Sequence, residues 1–290
     1  MLEPISGHFH LNTQSPFDWD GLLDYLGGRL LDGVEAVIDN SYCRAVALHD
    51  ASRDLHEGWI RVAPLPSGAG IDLTVSDSLA AVIPECLARV RALFDLDADP
   101  EPINQSLAEL ASDRPGLRVP GAWDGFELAC RAVLGQLVSV RAATTLAGRV
   151  AELSDHAVDT PWPEVYRRFP LAEEFLAHDK NVLGKSGINR RSAAALHTIA
   201  RAVADGSLDL SPGVDPQLVR EKLIAIHGIG DWTFQYIALR ALRWPDAFPA
   251  GDLGIRKALG VAKPDEVKNI AERWRPWRGY AVFHLWRRLA

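Results

Sequence analysis

Asp252 is a carboxylate set between a Pro/Gly-rich loop, Phe248-Pro249-Ala250-Gly251, and a helical run, Leu253-Gly254-Ile255-Arg256. Upstream, Trp232 and Tyr236 stand at the spacing that puts two side chains on one helix face. Before them, Gly228 and Gly230 bracket Ile229 in the turn His227-Gly228-Ile229-Gly230. These residue types suit three kinds of chemistry. An ionised carboxylate stabilises a developing cation and orients water. Aromatic faces attract a cationic ring by about 0.5–2 kcal/mol per contact. Glycines at a helix–helix junction permit positive φ and leave N–H groups facing outward at the positive end of the next helix, an anion site that needs no lysine. Each feature also has a plainer reading. Asp252 is a good helix N-cap, the turn is an ordinary helix connection, and the aromatic residues suit a core.

The elements around these residues follow from pattern. The stretch Leu223 to Lys257 reads as an apolar helix end, the glycine turn, a helix from Asp231 to Leu242, a loop, and a helix opening at Asp252. Ile229 is expected to plug the turn into the core. From Trp123 onward the chain reads as almost entirely helical. Trp123–Leu137 carries Phe126, Ala129, Cys130, Val133, Leu134 and Leu137 as a buried stripe, and Val140–Leu153 repeats the pattern. Pro161 is expected to open a short helix. Lys185-Ser186-Gly187-Ile188-Asn189-Arg190-Arg191 precedes a helix over Ser192–Ala204, and Asp215-Pro216, Pro264-Asp265 and Tyr280–Leu289 mark the remaining ones. Asp95 to Gly121, with four prolines, reads as a linker holding one short helix, Ile103 to Ala111. Before it, His8–Asn12, Val34–Ile38, Arg44–His49, Gly58–Val62 and Gly70–Val75 read as strands. Trp19–Leu31 and Ser78–Phe94 read as helices, the second capped by Ser76 or Asp77. The fold class is mainly α, with a small N-terminal α+β domain over 1–92 and a helical region of two lobes over 93–290.

Composition narrows the classes. The chain has 290 residues, 48% hydrophobic and 24% charged, the balance of a globular protein with a substantial core. No apolar run spans a bilayer and no secretory signal is visible, so a cytoplasmic protein is expected. Cys43, Cys86 and Cys130 are isolated and read as reduced core thiols; they are too few for a four-cysteine iron–sulfur loop. A formal net charge of −7 argues against a protein that coats nucleic acid with lysine. The C-terminal segment from Arg256 is richer in cations and could form a local basic face.

The order of hairpin, aromatic helix, loop and aspartate resembles the helix-hairpin-helix DNA glycosylase superfamily. The resemblance extends through Pro16-Phe17-Asp18-Trp19, Asp39-Asn40-Ser41-Tyr42, Glu85-Cys86-Leu87-Ala88, Leu93-Phe94-Asp95-Leu96, Arg114-Pro115-Gly116-Leu117-Arg118, Leu134-Gly135-Gln136-Leu137-Val138-Ser139-Val140, Ala271-Glu272-Arg273-Trp274 and Pro276-Trp277-Arg278. Together these are similar to the alkylation-repair branch, the 3-methyladenine DNA glycosylase II (AlkA) type, over nearly the whole chain. The resemblance implies a monofunctional glycosylase that flips an alkylated base out of duplex DNA and hydrolyses its N-glycosidic bond, acting as a monomer at the nucleoid. It implies Asp252 as the catalytic carboxylate, and Trp232, Tyr236, Trp286 and Tyr25 as the base pocket. It implies Leu137 as the side chain filling the gap, where the sequence by itself says core leucine. Gln136, His227, Gly228, Ile229, Gly230, Asp231 and Thr233 would meet the DNA. No cofactor is implied beyond a sodium or potassium ion at the carbonyls of His227, Gly228 and Gly230. The strand-nicking branch needs a lysine nucleophile two residues past the last hairpin glycine; here that position is Trp232, and no lysine lies between Lys222 and Lys257. The chain departs from the pattern at Asp231, where a base is common, at His227, where proline is frequent, and at Gly251, where an acid often precedes the aspartate. Alternatives are a glycosylase for deaminated or oxidised bases, and a non-catalytic DNA-binding module.

Overall fold

The computed structural model describes residues 7–153, 156–178 and 180–289; the first residues of the expected 1–92 unit lie outside them. Five strands, β1 (Gly7–Asn12), β2 (Glu35–Ile38), β3 (Ser41–His49), β4 (Leu55–Pro64) and β5 (Gly70–Val75), form one antiparallel sheet in the order β1-β5-β4-β3-β2. The longest pairing, β3 with β4, runs from Tyr42 opposite Val62 to His49 opposite Leu55. One sheet face, with Tyr42, Val46, Ile60, Val62 and Leu73, packs on helices α1 (Trp19–Gly27) and α2 (Ile83–Leu93) through Trp19, Leu22, Cys86 and Val90. Each such aliphatic side chain contributes about 1.5–3 kcal/mol on burial.

The rest is helical: α3 (Pro100–Leu107), α4 (Gly125–Leu134), α5 (Val140–Ala151), α6 (Ala172–Ala177), α7 (Lys180–Lys185), α8 (Arg190–Ala204), α9 (Pro216–Ile224), α10 (Asp231–Arg240), α11 (Leu253–Leu259), α12 (Pro264–Ala271) and α13 (Arg278–Arg287). A second core fills this part, with Phe126, Phe175, Leu196, Phe234, Ile237 and Phe283 among its members. Asp124, Ser139, Asn189, Asp215 and Asp252 each cap a helix by accepting a backbone N–H through the side chain. The three cysteines are free and buried.

Several boundaries move for identifiable reasons. The first helix stops at Gly27, since two consecutive glycines are poor helix formers, and the chain beyond sends Leu31 and Val34 into the second core. Ser78–Phe94 opens as a 3₁₀ turn over 77–82 and becomes α-helical at Ile83, with Pro84 in the first turn, where its missing N–H costs nothing. The linker helix begins at Pro100, earlier than Ile103, because Asp99 caps it. Pro161 opens no helix. Residues 156–171 run as a loop across the second face of the sheet, where Val158 and Val165 cover Ala36, Cys43 and Ala45. Arg168, 1% exposed, pins that loop by salt bridges to Glu57 of β4 and Glu174 of α6.

Two helix corners share one build. Between α9 and α10, Gly228 has φ 98° and Ile229 is buried. Between α7 and α8, Gly187 has φ 79° and Ile188 is buried, with Asn189 as the cap. In both, glycine takes the left-handed turn and isoleucine anchors it.

Candidate active site

α10 divides its surface by face. Phe234, Ile237 and Ala238 point into the helical core. Trp232, Tyr236 and Arg240, one helical turn apart, line a cavity of about 370 Å3 between α10, α4, α5, α13 and Tyr25. The Trp232 and Tyr236 rings are stacked, with centroids 5.4 Å apart and planes 15° from parallel. Trp286, from α13, closes the other side, 6.2 Å from Tyr236 and 5.2 Å from Phe283.

Asp252 stands half-buried in the wall of this cavity. Its Oδ1 accepts from the Ile255 N–H at 2.9 Å, which is the helix cap, and from Trp286 Nε1 at 3.0 Å. Its Oδ2 accepts from Trp232 Nε1 at 2.9 Å. The capping and chemical readings of this residue are therefore compatible. All three partners are donors, and the two carboxyl oxygens accept from them. Among the described residues Asp252 is the one carboxylate lining the cavity, and no lysine lines it.

Sequence reasoning missed three arginines in the cavity wall: Arg29, Arg131 and Arg240. Two carried a signal, since each stands four residues after a pocket tyrosine. Arg29 lies 3.7 Å over the Tyr25 ring, and Arg240 donates to the Tyr236 hydroxyl at 2.9 Å. Arg240 is itself fixed by the carbonyls of Pro120 and Gly121. The Tyr25 and Tyr236 hydroxyls are 3.3 Å apart. Burial works against ionising either phenol. At Tyr236 the Arg240 and Arg29 charges and the hydrogen bonds of Tyr25 and Arg240 outweigh burial and lower it to about 8. At Tyr25 burial prevails and raises it to about 12. An absorbance titration at 295 nm is expected to show one phenolate forming near pH 8, absent in Tyr236→Phe; a wild-type curve without that step would refute the assignment.

Leu137 does not sit in the core. Its exposure of 105% and its φ of 59° place it on an open tip with left-handed backbone, a conformation leucine adopts only when held there. Helix α4 ends at Leu134, so the apolar stripe stops before Leu137. Gln136 holds the tip, donating Nε2 to the Gly228 carbonyl at 3.0 Å and to Thr233 Oγ1 at 2.8 Å. The exposed tip, the hairpin and the aromatic helix are thereby tied together. His227, Gly230 and Asp231 are exposed, Ile229 is buried as expected, and α10 has Gly230 at its N-cap position with no side chain capping it, leaving its first N–H groups open. Asp231 faces Arg220 at 3.8 Å. The expected basic C-terminal face is partly consumed internally, because Arg275 and Arg278 both hold Asp246. Among the described residues no cluster of His, Cys, Asp and Glu could hold a metal, and no helix is long and apolar enough to cross a membrane.

A family model of the AlkA N-terminal domain matches residues 8–124. DNA-3-methyladenine glycosylase 2 of Escherichia coli (strain K12) is 37% identical over 278 residues, covering 96% of each chain. DNA-3-methyladenine glycosylase of Bacillus subtilis (strain 168) is 31% identical over 219 residues, covering 70% of this chain and 72% of that one. The solved 3-methyladenine DNA-glycosylase from Archaeoglobus fulgidus shares the fold, with a TM-score of 0.80 at 20% identity, over 96% of this chain and 97% of that one. The sheet, the helical lobes and the glycine corner beside the aspartate are those of a helix-hairpin-helix glycosylase. Within that class the chain belongs to the DNA-3-methyladenine glycosylase 2, or AlkA, family.

Proposed function

We propose that this protein is a monofunctional DNA glycosylase that releases alkylated bases of the 3-methyladenine and 7-methylguanine type from duplex DNA, as a monomer. The observation that carries this reading is Asp252, held by the indoles of Trp232 and Trp286 at an aromatic cavity with no second carboxylate among the described lining residues. Ordinary glycoside cleavage uses one acid to protonate the leaving group and another carboxylate opposite it. A cationic alkylated base needs no such proton. The C1′–N electrons leave with the base, which departs neutral, and the charge passes to the sugar. Asp252 stabilises that sugar cation and directs the water that adds to C1′, the water's proton passing to solvent. The Trp232, Tyr236 and Trp286 faces favour the cationic base over undamaged purines. With water as nucleophile, the product is an abasic site and no strand is nicked.

The remaining roles follow from position. We divide the chain into 1–92 and 93–290, with Leu31 and Val34 crossing into the helical core and Leu93, Phe94, Leu96 and Trp123 into the sheet core. Leu137 enters the duplex where the base has turned out. The open N–H groups at Gly230 and Asp231 take the neighbouring phosphate. The Gly228 carbonyl already accepts from Gln136, yet keeps a second lone pair, so it fits a monovalent cation shared with the carbonyls of His227 and Gly230. Such an ion would supply positive charge beside the phosphate, offsetting Asp231. One observation favours a second lesion class: Arg29 in the cavity wall is a donor suited to the carbonyl of a deaminated or oxidised base.

The test is base release from methylated duplex DNA, with the freed bases identified and abasic sites revealed by alkali. Release of methylated purines is expected, while DNA binding without release would leave a non-catalytic module. In the same assay Leu137→Ala should fold as the wild type does, since the side chain is exposed. It should release bases about 10–100-fold more slowly, the loss of 1–3 kcal/mol of support for the flipped state. Wild-type rates for Leu137→Ala would remove it from that role.

A further inference from the structure

The second glycine corner, between α7 and α8, is not used by the reaction, and it is surrounded by cations. Arg190 and Arg191 occupy the first turn of α8, which has no acidic residue. A helix start disfavours positive charge, so folding gives no reason to place two arginines there. Arg191 lies against the hairpin: its Nε and Cγ are 3.1 and 3.3 Å from where a Cβ on Gly228 would stand. On the other side, Arg149 of α5 crosses the corner, donating Nη1 to the Ser186 carbonyl at 2.8 Å. All three arginines are exposed, and among the described residues none forms a salt bridge. Elsewhere many arginines are paired with carboxylates, as Arg168, Arg243 and Arg278 are.

We propose that Arg149, Arg190 and Arg191 form a phosphate track that carries the DNA backbone away from the hairpin, beyond the phosphate next to the lesion. This rests on the reading of the protein as a DNA glycosylase. Guanidinium groups donate to phosphate oxygens in a fork, and a row of them starting at Gly228 extends the anion site along a strand. The track supplies the attraction that Asp231 and the chain's net charge of −7 withhold. The partner is duplex DNA, recognised through its backbone without regard to sequence.

The experiment is fluorescence anisotropy of the full-length protein with a short duplex holding a stable abasic analogue, over a salt series. Arg190→Ala/Arg191→Ala is expected to weaken binding about 10–100-fold at low salt and to lower the slope of log K against log salt by about 2. Because Arg191 packs on Gly228, Arg190→Ala alone and Arg191→Lys separate charge from packing. The first should lower the slope by about 1, and the second should keep it near the wild-type value. A double variant with the wild-type slope would overturn the proposal, as would lost affinity with an unchanged slope, which would leave Arg191 as packing only. If the slope falls as expected but the wild-type protein releases no base, the track stands and the glycosylase reading fails.

Discussion

Asp252→Asn is expected to slow base release by about three orders of magnitude while leaving DNA binding intact. Asparagine has nearly the same shape, and its Oδ1 can still accept from the Ile255 N–H and Trp286 Nε1. Its amide nitrogen would face Trp232 Nε1, donor against donor, so one of the three hydrogen bonds is lost. That costs about 1 kcal/mol of stability, too little to unfold a domain. The lost charge matters more. Opposite unit charges about 4 Å apart attract by about 4 kcal/mol at an effective dielectric constant near 20, and each 1.36 kcal/mol is a factor of ten in rate. Single-turnover release from methylated duplex DNA measures the rate, and affinity for an abasic-analogue duplex measures binding. Release within tenfold of wild type would take Asp252 out of the mechanism. Equal loss of binding and release would mean that its structural role dominates.

What the sequence revealed depended on whether a residue's job is local. Asp252, Trp232 and Tyr236 were legible because spacing along one helix and position at a helix start carry their meaning, and the folded chain brings them to one cavity with Trp286. Ile229 was legible as a plug because an isoleucine between two glycines has nowhere else to go. Leu137 was not legible from residues alone. A leucine three positions past an apolar stripe looks like its continuation, and only the helix stop at Leu134 with the Gln136–Gly228 bond exposes it. The loop over 156–171 was misread for a related reason. Pro161 reads as a helix start in isolation, but the sheet's second face needed cover, and Val158 and Val165 supply it from extended chain. Two of the pocket arginines combined both cases: i to i+4 spacing tied Arg29 and Arg240 to tyrosines, but the reach of all three into the cavity depends on elements far apart in sequence.

Glu127→Ala is expected to cost about 3–5 kcal/mol of stability, the penalty for leaving a buried charge without its partner. Glu127 of α4 accepts from Arg44 of β3 and from Arg131 one turn along its own helix, the latter at 2.7 Å. Those two arginines also hold Glu35 of β2, whose carboxylate further accepts from the Tyr42 hydroxyl and the Leu31 N–H. Two acids and two bases are thus shut between the sheet and α4, and Arg131 goes on to fix the Arg29 carbonyl at the aromatic cavity. Removing Glu127 leaves Arg44 facing Glu35 alone, with its Nε already lacking a partner. Urea denaturation measures the loss, and a cost below about 1 kcal/mol would refute the cluster's role as the joint between sheet and helices. Replacing Glu127 and Arg44 together by leucine and methionine should cost less than Glu127→Ala, because no charge is then stranded. The same cluster sets the acid limit of the fold. Burial alone would raise the Glu35 carboxyl, but Arg131, Arg44 and the Tyr42 hydroxyl overcome it and bring it from its usual 4.5 to about 2. A carboxyl lowered by folding stabilises the native state fully above its unfolded value and loses that contribution as pH falls through the folded one. Stability should therefore decline between about pH 4.5 and about pH 2, and Glu35→Gln should flatten that part of the curve.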